Sequence, residues 1–217
     1  MRKLLYFLGS LFLSLTWIAG HSQTQIVIPG FKDKYCDYVK KLEAGQTDID
    51  YRDFRYSFID SEQFKIASAK SSLLDSLEKK MFSLMNQADY PEIIRIAKAM
   101  LSIDYTSLIA HKILRQTLQL IGDTANARKY KTIQFGLLNS IVRNGNGKTC
   151  ATAWPVIQLS EEYFILRMLG AVLKRQSLEQ TGGFCDKMEV TTNEGDKTFY
   201  FEVTKVFEGY RKLGRKE

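Results

Sequence analysis

The sequence predicts an α+β protein: N-terminal helical hairpins with tetratricopeptide-like packing, followed by a small antiparallel sheet. Three observations carry this expectation. Apolar residues recur at helical spacing through residue 143, and after the polar run Asn144-Gly145-Asn146-Gly147-Lys148-Thr149 the pattern changes to short apolar runs and alternation. Within the helical part, Ala88-Asp89-Tyr90 and Gly122-Asp123-Thr124 echo one another 34 residues apart, the period of tetratricopeptide repeats. The chain therefore divides into a leader (1–22), a helical repeat-like region (23–143) and a β region with a short C-terminal helix (144–217).

The leader has the layout of a secretory signal: Arg2 and Lys3, an apolar run from Leu4 to Ala19, then small and polar residues. That run is too short to span a bilayer. A lipoprotein signal would need cysteine where His21 stands. The expectation is export to the periplasm or the medium, without a lipid anchor and without stable membrane insertion once the leader is removed. Removal of Arg2 and Lys3 leaves 29 basic residues against 24 acidic ones, and neither half concentrates the excess. Nucleic-acid binding needs a basic stripe, and the nearest approach to one is the tail Arg211-Lys212-Leu213-Gly214-Arg215-Lys216, so no nucleic acid is expected.

Phe31, Tyr35, Tyr38, Val39 and Leu42 define a first amphipathic helix closed by Gly45. The segment from Asp50 to Phe58 interleaves aromatic rings with Arg and Asp. Rings and guanidinium groups recognise sugars, peptides and bases, which makes Tyr51, Arg52, Phe54, Arg55 and Tyr56 the candidate binding surface. The competing reading is a short helix that plugs its rings into the core. Leu73, Leu74, Leu77, Met81, Leu84 and Met85 give a second long helix. Next, Ile93, Ile94, Ala97 and Leu101 make one stripe and Leu108, Ile113, Leu114 and Leu118 another, with a turn at Asp104-Tyr105-Thr106 between them. Small residues at Ala97, Ala110 and Ala127 fit close helix approach. The repeat-like stretch runs from Gln87 to Asn139.

Beyond the polar run, Val156 to Leu159 and Tyr163 to Leu169 read as strands, with Ser160-Glu161-Glu162 as the turn between them. Cys185 to Thr192 and Lys197 to Val203 read as a hairpin around Asn193-Glu194-Gly195-Asp196. Phe207 and Tyr210 suggest a terminal helix that docks back. Cys150 and Cys185 flank expected strands and are the candidates for a disulfide in an oxidising compartment. The alternative is that all three cysteines are buried thiols.

Several chemistries are disfavoured. Gly147-Lys148-Thr149 matches the end of a phosphate-binding loop, but that pattern needs glycine where Val142 stands, and a strand before and a helix after it. His111 is the one histidine outside the leader and has no ligand partner at metal spacing. Its isolation also disfavours histidine-dependent nucleophilic catalysis. Asp48, Asp50 and Asp53 lack a calcium-loop pattern. Glu161 and Glu162, adjacent in a strand or turn, are badly placed to share a substrate. No metal, cofactor or catalytic residue is expected.

Asp50-Tyr51-Arg52 with the following aromatics, the Asn144 to Thr149 run, Ser160-Glu161-Glu162-Tyr163-Phe164 and Cys185-Asp186-Lys187-Met188-Glu189 together resemble a family of secreted Gram-negative bacterial proteins grouped as domain of unknown function 4919. The resemblance implies export and a helix-then-strand layout, and it carries no activity. The expected function is a non-enzymatic interaction or scaffold module with a protein or peptide partner. The alternatives are a carboxylate-dependent hydrolase and a small-ligand carrier.

Overall fold

The computed structural model describes residues 25–180 and 183–214. The expected leader lies outside them, as do Arg215 and Lys216 of the basic tail. No helix among the described residues is long and apolar enough to cross a membrane.

Helix α1 (Lys34–Glu43) starts at Asp33, whose carboxylate accepts from the Cys36 amide at 2.8 Å, and buries Tyr35, Cys36, Val39 and Leu42. Asp50 caps α2 (Tyr51–Ile59) through the Asp53 amide, and Ser61 caps α3 (Glu62–Ala69) through that of Phe64. Helix α4 (Ser71–Met85) has no side-chain cap and only Met81 fully buried. It is the most loosely embedded of the long helices.

Helices α5 (Tyr90–Ile103), α6 (Leu108–Leu120) and α7 (Thr124–Val142) follow, each packed on the one before it. Short turns join them, so neighbours run antiparallel. The echo in sequence is an echo in backbone geometry. Ala88 and Gly122 both take positive φ (54° and 82°), and Asp89 and Asp123 follow with the same φ of −77° and ψ of 72° and 70°. Each aspartate then caps its helix through the amide three residues on. Ala97, Ala110 and Ala127 are all buried, as close helix approach requires.

The polar run is stitched to the sheet. Gly147, rather than Asn144 or Gly145, takes the left-handed conformation (φ 66°). Its amide donates to the Thr152 carbonyl at 2.9 Å and its carbonyl accepts from the Tyr200 amide at 2.8 Å. A Cβ on Gly145 would lie 2.2 Å from the Thr152 carbonyl oxygen, so the glycine there serves close backbone approach.

A single 3₁₀ turn (Cys150–Thr152) leads into β1 (Trp154–Pro155). The two strands expected over Val156 to Leu169 are not there: Leu159–Met168 is a helix, α8. Phe164, Ile165 and Leu166 are all buried, and a short apolar run reads alike as an inner strand or an inner helix. The strands β2 (Val172–Glu179), β3 (Cys185–Thr192) and β4 (Gly195–Glu202) then form an antiparallel meander, and α9 (Thr204–Lys212) closes the described chain. The sheet order is β1-β4-β3-β2, and the parallel pairing of β1 with β4 makes the sheet mixed. Buried residues from the helices and from the sheet belong to one hydrophobic cluster that extends from Ile26 to Val206.

Candidate functional site

Where α8 meets the helices, a cleft of about 680 Å³ opens. Its walls are apolar: Leu74 from α4, Met100 from α5, Ile109 from α6, Leu159 and Phe164 from α8, Leu173 from β2 and Tyr210 from α9. Asp75, Glu78 and Arg167 stand among its lining residues, and Arg167 Nη1 donates to Glu78 Oε1 at 3.1 Å, tying α8 to the loosely held α4. A smaller groove between α4, α6 and α8 shares Ile109, Phe164 and Arg167 with the cleft and adds Phe82, Met85 and Met168.

Glu161, Asp104, Thr106 and Gln158 also line the cleft, and its two inner acids are engaged. Arg55, wholly buried, donates from Nε to Glu161 Oε1 at 2.8 Å and from Nη2 to Glu161 Oε2 at 2.6 Å. Nη2 also reaches the Pro155 carbonyl at 3.0 Å, while Glu161 Oε2 accepts from the Ile157 amide at 2.8 Å. Beside this pair, Asp104 accepts from the Thr106 amide and hydroxyl at 2.8 and 2.6 Å and from Gln158 Nε2 at 2.9 Å. Burial pushes the Asp104 carboxyl above the usual carboxylate range against those hydrogen bonds.

Of the five residues expected to form a surface, two are not on one. Phe54 and Arg55 have no solvent exposure; the Phe54 ring stacks on Tyr35 at 5.5 Å and Arg55 crosses to the β region. Arg52 is exposed and lies over the half-buried Tyr56 ring at 5.4 Å, whereas Tyr51 donates to the Thr47 carbonyl at 2.9 Å. The segment is thus chiefly an aromatic plug with a thin outer face. Asp50 and Asp53 do not converge on a common point: one caps α2, and the other accepts from Lys34 and Tyr38, Lys34 holding its carboxyl below the usual range. Among the described residues no three His, Cys, Asp or Glu side chains gather as metal ligands.

Cys150 and Cys185 are joined, their Cα atoms 5.9 Å apart, which staples the 3₁₀ turn to the start of β3. Cys36 is a buried free thiol, pushed up to about 12 chiefly by burial. His111 is wholly buried, with Nε2 2.8 Å from the Tyr105 carbonyl oxygen, and burial lowers it to about 4. Burial thus favours its neutral form. Nearby, Glu43 accepts from Tyr105, from Tyr130 at 3.2 Å and from Lys129 at 3.2 Å, which ties α1 to the α5–α6 turn and to α7.

In the sequence Glu161 and Glu162 read as turn residues, and Asp104 as part of an ordinary helix-to-helix turn. The available signal was two acids inside an apolar run, in the first turn of what is now α8, where carboxylates suit the helix dipole. Adjacent residues on a helix point about 100° apart, so Glu161 meets Arg55 while Glu162 faces elsewhere.

No curated protein matches the chain, and no solved structure does. A family model described as Domain of unknown function (DUF4919) matches residues 35–212, from the first turn of α1 to the end of α9, and the chain belongs to that family.

Proposed function

We propose that the protein is an exported, non-enzymatic binding module whose cleft between α4, α8 and the sheet takes a peptide segment of a partner protein. The observation that carries this reading is the contrast between walls and floor. The walls offer apolar area to a ligand, while Glu161 and Asp104, the acids at the floor, are each engaged by several donors. A hydrolase needs an acid poised to take a proton within reach of substrate; Glu161 and Asp104 are engaged, and Asp75, the other aspartate lining the cleft, stands exposed on α4. The continuation of the cleft into the groove at Phe82 and Met168 favours an elongated ligand with spaced apolar side chains over a compact one. Export is supported by the leader's charge and apolar pattern and by the Cys150–Cys185 pairing.

The test is a peptide-array screen with the leaderless protein, followed by calorimetric titration of the hits. Peptides with two or more spaced apolar residues are expected to bind, and Leu159→Glu, at a partly exposed wall position, should weaken them at least tenfold while Arg52→Ala leaves them unchanged. Turnover of any peptide or glycoside substrate that disappears in Asp104→Asn would overturn the reading in favour of a hydrolase. Stabilisation by small apolar metabolites with no peptide binding would favour a carrier.

A further inference from the structure

Glu162 is the one residue among those described whose two carboxylate oxygens are both buried and both without a hydrogen-bond partner. It has no solvent exposure. The charged groups that act on it are also acids: Asp186, on the inner face of β3, and Glu161, which Arg55 already neutralises. Asp186 is buried too, and its recorded partner is Gln176 Nε2 on the neighbouring strand β2. No basic side chain among the described residues bonds to either Glu162 or Asp186. Two buried carboxylates on facing elements, α8 and the sheet, thus have no basic partner of their own.

Physical chemistry narrows what belongs there. Buried charges are paired or bind a metal, and a buried polar atom without a partner calls for an occupant. We propose that Glu162 and Asp186 hold a calcium-sized divalent cation between α8 and β3, with the Gln176 amide oxygen as a third protein ligand. The donor set is all oxygen, which suits a hard cation and not zinc or copper. Two carboxylates balance a charge of two. Gln176 Nε2 donates to Asp186 while Tyr163 Oη donates to Gln176 Oε1 at 3.0 Å. Turning the amide over presents Oε1 to the ion and leaves Nε2 to donate to the tyrosine oxygen, so both bonds have a counterpart in the loaded site. Gln176 and Tyr163 are exposed, which gives the ion its way in and its remaining water ligands. Calcium fits better than magnesium, which demands near-ideal octahedral geometry and retains several waters. The site lies apart from the peptide cleft and stands or falls without it.

The experiment is equilibrium dialysis of the leaderless protein against calcium after chelator treatment, with thermal denaturation in chelator, calcium and magnesium. The expected result is one calcium per chain and a rise in Tm of several degrees, larger than with magnesium. Glu162→Gln should abolish both, and Asp186→Asn should weaken binding at least tenfold. If Glu162→Gln fails to fold, Asp186→Asn and the wild-type stoichiometry decide. Absence of bound calcium at millimolar concentration overturns the proposal, as does an unchanged calcium response in the variants. A Glu162→Gln protein more stable than wild type in chelator, with wild type indifferent to calcium, would show that a proton fills the space instead.

Discussion

Arg55 heads the fully buried side chains by size, and Glu161 is the carboxylate that balances it. The guanidinium also satisfies the Pro155 carbonyl and lies 3.3 Å from Ser140 Oγ, so one side chain closes the seam between α2, α7 and the β region. Removing one member of such a pair strands the other charge in the interior. Arg55→Met is expected to cost about 3–5 kcal/mol, and adding Glu161→Gln should recover a large part of it, as read by urea denaturation. His111 makes a second prediction, with a definite sign. Its folded value of about 4 lies below the ordinary 6.5, so between those values the unfolded chain binds the extra proton. Its contribution is fully present above pH 6.5 and is lost as the pH falls towards 4, by roughly 3 kcal/mol at about 1.4 kcal/mol per pH unit. Glu162, raised to about 9, works in the opposite sense over much of the same range, and Asp104 and Asp186 are also raised. The quantity to measure is therefore the stability difference between wild type and His111→Gln: it should change steadily in favour of the variant from pH 6.5 to 4 and stay flat above 7.

At the scale of elements, the two matched helix starts differ where they should be alike. Gly122 occupies the left-handed position without strain, whereas Ala88 carries a Cβ into it. An L residue pays about 1–2 kcal/mol there. Ala88→Gly should raise stability by up to ~1 kcal/mol once the extra freedom of the unfolded glycine is deducted, and Gly122→Ala should lower it by a similar amount; paired thermal melts check both signs. This echo was legible in the sequence because aspartate caps and left-handed residues are local devices. The β3–β4 hairpin was legible for the same reason, its turn falling at Asn193 and Glu194 between Thr192 and Gly195. Strand β2 was not. Its residues, Val172-Leu173-Lys174-Arg175-Gln176-Ser177-Leu178-Glu179, are mostly exposed and show no alternation, because it is an edge strand held by pairing to β3 rather than by a buried face of its own. Helix α8 was missed because its polarity is inverted: Glu161 and Glu162 point inward while Leu159, Tyr163 and Met168 are exposed, so no ordinary amphipathic pattern marks it. The cleft inherits both misses: its helical wall and its strand wall are these two elements, while the floor depends on Arg55 meeting Glu161 across 106 residues of sequence, a pairing that no local pattern announces.

The whole molecule behaves as more than a helical region with a sheet attached. Ile141 and Leu137 of α7, Trp154 of β1, Phe201 of β4 and Val206 of α9 belong to the same hydrophobic cluster, and α9 packs back on α2. A shared core makes unfolding cooperative in a domain of this size. Far-ultraviolet circular dichroism, which reports mainly the helices, and the fluorescence of Trp154, at the sheet edge, should therefore give one coincident urea transition. Two separated midpoints would mean that the polar run divides independent units. The same reasoning predicts the fate of the helical region alone. A chain of residues 23–143 would bare the buried faces of α2 and α7 and leave Arg55 without its carboxylate, a set of losses no capping contact offsets. It should lack a cooperative melt and bind hydrophobic dye. Because the cleft takes its walls from α4, α5, α6, α8, β2 and α9 together, that fragment should also fail to bind any peptide that the intact protein recognises, even one whose contacts lie mainly on the helices.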